Sequence, residues 1–436
     1  MWHIMKNEFG YIDDKPFKEC DTDKQIFSTI TIDDEGLEFK VNGINKFSLF
    51  DIEKMPKAIY AVDNKLTAIT ALRMNITNSN LTAISSSILK SDLYFIKQGL
   101  LEEGEKIKHF TTQTKIREIC YYNDSIRRIF INDSIESKYK LIGNSLKYIK
   151  ISGKKTKNDK IGELIVDNGN VLEVFLSKGF IHNHQYSGNE QIVIKDNSHF
   201  ILKFKKGILF DEAYKYILLL DSIIYLMTFL KRRHKRLIIK DFMKSTYLCR
   251  DMKIDFEERK VKDRNYLICD RKDSKNTFMS LFYNIYSMNY ESKNALFPFL
   301  EFDTKQSSLE IKFLEYYKAL EYIKLKENLK KGKGKNPTFL VEILKENKTL
   351  KEKFFGIQSE SEIEEEIRSL RNYYSHTGYY IDNMQLPIPT DNPKRYKTVD
   401  TKWLYDVLDF VKVSAYIEIY KLCGLTIDWN SIIHNL

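Results

Sequence analysis

Three polar residues near position 370 have side chains that could together carry out acid–base chemistry on a phosphodiester: Arg371, Asn372 and His376. An imidazole titrates near neutral pH and can give or take a proton. A guanidinium is planar and always charged, and it can hold two phosphate oxygens. The asparagine amide can position either group. Cleavage of RNA needs a base for the 2′-hydroxyl, a cation for the phosphate and an acid for the leaving 5′ oxygen, so the three residues supply most of these parts.

The missing part is a second group for proton transfer, because one histidine cannot easily be both base and acid. A symmetric dimer that brings two such segments together would pair two arginines and two histidines in one site. We therefore predict a homodimer whose interface includes the helix that ends at His376.

The segment that carries these residues is predicted to be an amphipathic helix that begins near Ser359 or Ser361. At about 100° per residue, four apolar residues share one face. They are Ile363, Ile367, Leu370 and Tyr374. Asn372 and His376 project from the opposite side and Arg371 from the flank, so we expect all three to face water or another subunit. The alternative is a structural role, in which Arg371 pairs with an acid such as Glu321 or Glu364 and His376 merely favours a helix end.

The rest of the C-terminal part also has helical periodicity. We predict a helix near 277–290 and three further amphipathic helices around the one at 359–378. They run from Ser307 through Ile323, from Pro337 through Leu344, and from Thr401 to Leu422. Four helices with one apolar face each predict a bundle.

The first 200 residues are predicted to be mainly β, as a sandwich or barrel-like sheet. Short apolar or alternating stretches recur between turn signals, with hairpin turns at 34–36 and 167–169. Nine strands are predicted: 26–32, 37–41, 58–62, 66–76, 93–96, 161–166, 171–176, 191–194 and 199–204. An apolar helix at 211–232 and a second helix near 238–248 are expected to follow. The predicted fold class is α+β, with a β-rich domain at 1–205, a helical connector at 206–275 and a helical bundle at 276–436.

Composition limits the classes of protein that fit this chain. The 436 residues carry a net charge of +10, and the basic residues cluster, which favours a polyanionic partner. A solvated loop is the alternative reading of each cluster. The first ten residues lack an apolar signal region and the longest apolar run, 216–230, is short for a membrane span. We therefore expect a cytoplasmic protein without membrane segments.

Metal and cofactor sites are not predicted. The five cysteines are dispersed without a Cys-x-x-Cys pair, which argues against zinc and against a disulfide framework. His182 and His184 could be two ligands on one strand face, but a third ligand is not evident, so a loop or strand surface is the favoured reading.

Two segments resemble a known family. The pattern Arg371-Asn372-x-x-x-His376 resembles the R-N-x-x-x-H signature of the HEPN superfamily, whose members are small helical bundles, many of them dimeric metal-independent ribonucleases. The segment from Phe313 to Glu321 resembles the first bundle helix of ApeA-type HEPN proteins from bacterial anti-phage (abortive infection) systems. Those proteins carry a β-rich domain ahead of the HEPN domain, and the specific resemblance covers about the last 130 to 150 residues.

The resemblance implies an endoribonuclease toxin or defence effector, controlled by its β-rich domain and by a phage-derived trigger, with RNA, possibly tRNA, as substrate. Arg371 would bind the phosphate, His376 would transfer protons, Asn372 would orient both and Glu321 would anchor Arg371. Further RNA contacts are predicted in the basic loop and in tyrosines that could stack on bases, although packing is the alternative for each tyrosine. These residues are Lys331, Lys333, Lys335, Tyr373, Tyr379 and Tyr380. A non-catalytic module that binds nucleic acid and dimerises is the alternative function.

Overall fold

Strands and helices occupy opposite parts of the chain in the structure, a computed structural model. The structure describes residues 8–21, 25–33, 36–42, 57–79, 86–98, 106–130, 135–142, 145–153, 157–166, 169–185, 191–229, 236–251, 272–303, 307–330, 339–377, 384–388 and 395–427. Two compact units divide the chain. The first unit is Met1–Asp221 with Arg232–Lys262, and the second is Ser222–Lys231 with Asp263–Leu436. The β-rich N-terminal part and the helical C-terminal part are thus as predicted.

Antiparallel strands form the first unit. In chain order they are β1 (Glu8–Asp13), β2 (Ile26–Asp33), β3 (Gly36–Asn42), β4 (Ala58–Asp63), β5 (Ala68–Ser79), β6 (Ser86–Lys97), β7 (Ile116–Tyr122), β8 (Ile135–Ile142), β9 (Ser145–Gly153), β10 (Lys157–Val166), β11 (Asn170–Lys178), β12 (Phe180–Gln185), β13 (Gln191–Asp196), β14 (His199–Ile208), β15 (Arg236–Asp241) and β16 (Thr246–Asp251), with the short helix α1 (Ile126–Ile129) after β7. All nine predicted strands lie within or overlap these elements.

Twelve of these strands make one sheet, in the order β10-β11-β14-β7-β15-β16-β6-β3-β2-β1-β4-β5, and β5 pairs again with β6. The last six strands therefore close on themselves around a core that includes Ile30, Phe39, Ile59 and Tyr94, all fully buried. The remaining strands of this unit pair as β8–β9 and β12–β13. The alternation of buried and exposed residues along β2 and β11 is the pattern from which those strands were predicted.

The two predicted hairpins are confirmed by the strand registers. Asp33 pairs with Gly36 and Val166 with Asn170, so β2 pairs with β3 and β10 with β11 up to the predicted turn positions. Gly36 and Gly169 have φ values of 134° and 64°, a region that glycine enters without a steric penalty.

The helix predicted near 238–248 is wrong, because this segment forms β15 and β16 in the large sheet. Leu237 and Ile239 are buried on alternate positions of β15, whereas Tyr247, Leu248 and Cys249 of β16 are all buried. The two strands pair with each other across a turn at 242–245, and β15 also pairs with β7, so strand pairing prevails over the helical reading. The predicted connector at 206–275 is therefore only partly helical, and both units contain residues from it.

The apolar run after residue 209 forms the helix α2 (Phe210–Thr228), which was predicted to extend to 232. The boundary between the two units falls within this helix. Its one acidic residue inside the run, Asp221, is buried and accepts a hydrogen bond of 2.6 Å from the Tyr121 hydroxyl. Of the helices that can be described, none has both the length and the apolar character that crossing a membrane requires.

Helices form most of the second unit. They are α3 (Ser274–Ser287), α4 (Tyr290–Asp303), α5 (Leu309–Lys330), α6 (Phe339–Glu346), α7 (Lys348–Phe355), α8 (Glu360–Thr377) and α9 (Thr401–Leu422), and β17 (Met384–Ile388) pairs with β18 (Arg395–Val399). The bounds of α9 are those predicted. The helices α4 and α7 and the β17–β18 hairpin were not predicted.

A buried ion pair joins α5 to α9 inside this unit. Lys324 Nζ lies 3.1 Å from a carboxylate oxygen of Glu418, and both side chains are buried. Lys421 donates to the same carboxylate at 2.8 Å, while Glu346 lies 3.6 Å from Lys324 at the exposed end of the network. A buried charge is tolerated when it is paired, and removing one partner leaves the other poorly compensated.

We predict that Glu418→Leu lowers the free energy of unfolding by about 3 kcal/mol, because the Lys324 ammonium loses its nearest buried partner. The double variant Lys324→Met/Glu418→Leu should lose less than Glu418→Leu alone. Denaturant unfolding of the wild type, both single variants and the double variant measures this cycle. Additive losses would show that the pair is not coupled.

A second buried titratable group lies in the first unit. The His109 ring packs edge-on against Phe17 and Tyr60, with centroid separations of 4.8 Å and 5.4 Å. Burial lowers the pKa of His109 from 6.5 to about 4, and a hydrogen bond to the Ile69 backbone opposes this shift. Because the unfolded chain then binds the proton more readily than the folded one, stability is fully present above pH 6.5 and is lost as the pH falls toward 4.

We expect the wild type to lose about 3 kcal/mol more stability than His109→Phe between pH 7 and pH 4, since each pKa unit corresponds to about 1.4 kcal/mol. Phenylalanine keeps the ring packing and removes the titration. Urea unfolding of both proteins at several pH values measures the difference. Parallel curves would contradict the assignment.

Candidate functional site

The helix that carries the predicted site starts with a capping box. The Glu362 N–H donates to Ser359 Oγ at 3.4 Å, and the Ser359 N–H donates to Glu362 Oε2 at 3.3 Å. This reciprocal pair satisfies backbone donors that the first turn leaves free. The capping box defines the first turn of α8. Every later residue then has a fixed position around the helix axis relative to that turn.

The predicted apolar face of α8 is confirmed. Its four residues are all buried: Ile363, Ile367, Leu370 and Tyr374. The Tyr374 ring contacts Phe313 of α5 edge-on, with a centroid separation of 5.8 Å. Burial of this face orients α8 against the helices of its own unit.

The polar trio lies on the other side of α8, as predicted. Asn372 and His376 are exposed, and Arg371 is partly exposed beside the apolar stripe. Asn372 and His376 are four residues apart on one helix and so share a face. All three side chains are accessible to a ligand from the solvent side of this unit.

Arg371 is held in place by three neighbours. Its Nη1 donates to Asn372 Oδ1 at 3.1 Å, and its Nη2 lies 3.8 Å from Glu321 Oε2. The guanidinium carbon also lies 5.9 Å from the centre of the Tyr317 ring, within the range of a cation–π contact. The Glu321 contact is too long for a two-pronged ion pair, so the guanidinium keeps donors for an oxyanion.

The predicted supporting role of Glu321 is consistent with this arrangement, and Glu364 has another partner. Arg368 Nη2 donates to Glu364 Oε1 at 2.6 Å, one turn before the trio. Burial raises the pKa of the Glu364 carboxyl, and the Arg368 hydrogen bond opposes that shift. Of the two acids considered as structural partners, Glu364 is paired with Arg368, whereas Glu321 does contact Arg371, so the Glu321 contact fits the structural role and the supporting role alike.

Tyr317 forms the apolar surface below the guanidinium. Burial raises the pKa of its phenol to about 12, and the nearby Glu321 carboxylate adds to the shift. The ring is therefore neutral at physiological pH and supports Arg371 by its face. Sequence reasoning did not predict this contact between Tyr317 and Arg371. It also missed the Arg368–Glu364 pair, which the spacing of four residues on a helix could have revealed.

Of the other predicted RNA contacts, Tyr373 is among the described residues. Tyr373 is partly buried, with its ring centroid 6.0 Å from that of Tyr374, so it takes part in packing. The remaining predicted RNA-binding and stacking residues are Lys331, Lys333, Lys335, Tyr379 and Tyr380, and they lie outside the described residues.

The side chains of the two candidate metal ligands, His182 and His184, are not described either, although both residues belong to β12. In the part of the chain that the structure describes, no three or more His, Cys, Asp or Glu side chains come together as metal ligands would.

Comparison with known proteins finds no family, no curated protein and no solved structure that matches this chain. The resemblance to HEPN proteins therefore stays a prediction that depends on the residues of α5 and α8.

We predict that Arg371→Gln lowers the free energy of unfolding by less than about 1 kcal/mol, because its ion pair is long and partly exposed. The matched variant Arg368→Gln should cost more, since it removes the partner of the buried Glu364. Chemical denaturation of both variants measures the contrast. A larger loss for Arg371→Gln would indicate that Arg371 is a structural cation.

Proposed function

We propose that this protein is a metal-independent endoribonuclease whose active site is formed by Arg371, Asn372 and His376 on α8. The observation that carries the proposal is the geometry of Arg371. Its guanidinium is oriented by Asn372 and Glu321 on an exposed helix face, yet neither contact satisfies all of its donors. A preorganised cation of this kind, five residues before an exposed imidazole, suits a phosphodiester substrate.

In the proposed reaction, a base removes the proton of a ribose 2′-hydroxyl, and the freed oxygen attacks the adjacent phosphorus. Arg371 stabilises the negative charge on the phosphate oxygens, and an acid protonates the leaving 5′ oxygen. His376 of one chain serves as base and the same histidine of a second copy as acid, with Asn372 orienting Arg371. The proposal therefore includes a homodimer in which two α8 helices contribute to one site.

The biological setting that fits this chemistry is growth arrest during infection. An unregulated ribonuclease would damage its own cell, so its activity must be controlled. We propose that the β-rich unit senses a phage-derived trigger in the cytoplasm and that the helical unit then cleaves RNA, possibly tRNA, as an abortive-infection effector or toxin. The resemblance in α5 and α8 supports this setting.

We predict that His376→Ala lowers RNA cleavage by at least about 100-fold, the scale of a lost general acid or base. Arg371→Lys should lower it about 10- to 1000-fold, because an ammonium cannot reproduce the two-pronged donor. Initial rates on a total RNA substrate, with the melting temperature of each variant, measure both. The products should end in a 2′,3′-cyclic phosphate, and a substrate with 2′-deoxyribose at the scissile position should resist cleavage.

Arg368→Gln is the matched control, since it removes a guanidinium from the same helix without touching the trio. It should retain near-normal activity per folded molecule. Full activity of His376→Ala in cleavage and in cell toxicity would reject the enzyme and favour the alternative of a nucleic-acid-binding module that dimerises. Cleavage of the 2′-deoxy substrate would reject the 2′-hydroxyl mechanism.

A further inference from the structure

The helix α2 contributes residues to both units of the chain. It runs without interruption from Phe210 to Thr228 and contains neither glycine nor proline. The boundary between the units falls after Asp221, so twelve of its residues belong to the first unit and seven to the second. Units of one chain are commonly joined by an exposed linker, whereas here the junction is a regular helix.

The first twelve residues of α2 are part of the core of the first unit. The Phe210 ring packs edge-on against the rings of Phe95 and Phe110, with centroid separations of 4.9 Å and 5.9 Å. At the other end of this part, Asp221 accepts the buried hydrogen bond of 2.6 Å from the Tyr121 hydroxyl. Both ends of the first part of α2 are therefore held by side chains of the first unit.

The last seven residues of α2 are part of the core of the second unit, where they contact α9. The hydroxyl of Tyr225 lies 2.7 Å from that of Tyr416, and the Tyr420 hydroxyl donates to the Leu226 carbonyl. That carbonyl is in the last turn of α2, where carbonyls lack a partner within the helix, so α9 supplies the missing donor. The Phe229 ring, directly after α2, packs edge-on against Tyr416 with a centroid separation of 5.2 Å.

Neither part of α2 is long enough to stay helical alone, because isolated helices shorter than about 12 to 15 residues are marginal in water. Each helical N–H bonds to the carbonyl four residues earlier, so the N–H groups of residues 222–225 depend on the carbonyls of residues 218–221. Unfolding of the first part would remove these partners from the second part. Unfolding of the second part would in turn free the carbonyls of the first part.

We propose that α2 couples the stabilities of the two units, so that they unfold in one cooperative transition. Chains with two units often depart from two-state unfolding, because each unit can unfold while the other stays folded. Here the core of each unit contains a part of the same cooperative helix, so loss of that part from one core weakens the other. The inference goes beyond the proposed ribonuclease activity and does not depend on it.

Pulsed hydrogen–deuterium exchange of the full chain across a urea series tests the proposal. Peptides from β7 and from α9 report the unfolding midpoint of the first and the second unit separately. In the wild type the two midpoints should coincide. An insertion of Gly-Gly between Asp221 and Ser222 interrupts the helix at the boundary, and the midpoints should then differ by at least about 0.5 M urea.

The matched control is the same Gly-Gly insertion between Met243 and Lys244, in the turn that joins β15 to β16. It lies in the first unit outside α2, so the two midpoints should still coincide. Circular dichroism verifies folding, and if the α2 insertion does not fold, Ser222→Gly decides, since it weakens the helix without changing its length and should also separate the midpoints. Separate midpoints in the wild type, coincident midpoints in the folded α2 variant, or separate midpoints in the control would each overturn the proposal.

Discussion

Burial of one face of α8 is the constraint on which the candidate site depends. The four apolar residues from Ile363 to Tyr374 occupy the side of the helix that packs on the core of its unit, and Glu364, Glu366 and Ser369 are buried beside them. Helical geometry then leaves Asn372 and His376 outward, and it puts Arg371 at the border, where α5 supplies Tyr317 and Glu321. A shift of the helix by one residue would exchange these roles, and the capping box at Ser359 opposes such a shift.

The two arginines of α8 show how burial gives similar side chains different roles. Arg368 forms an ion pair with the buried carboxylate of Glu364, so its charge stabilises the fold. Arg371 contacts a carboxylate that is itself partly exposed to solvent, and the attraction is weakened by water. We therefore expect Arg371 to contribute less to stability than Arg368, which is consistent with its proposed role in binding a ligand.

Sequence patterns predicted the elements whose periodicity was unbroken. Helices α8 and α9 and the strands with clean alternation were recognised because apolar residues recur along each at the period of the element. The helix α4 was missed because Pro298 lies inside it, and β15 because Leu237-Ile238-Ile239 is continuously apolar, a run whose periodicity does not separate strand from helix. The trio could be predicted because it lies within six residues of one helix. The packing of His109 could not, because its neighbours Phe17 and Tyr60 lie far from it in the sequence.

The closed part of the large sheet has a consequence for how copies of this protein can associate. Ring closure through β5 and β6 leaves β10 as the open edge among the described strands of that sheet. An open edge can pair with a strand of another molecule. Two features of β10 oppose such pairing: its register shifts after Lys160, and Lys160 forms ion pairs with Glu163 and Glu173. Uncontrolled polymerisation through this sheet is thereby disfavoured.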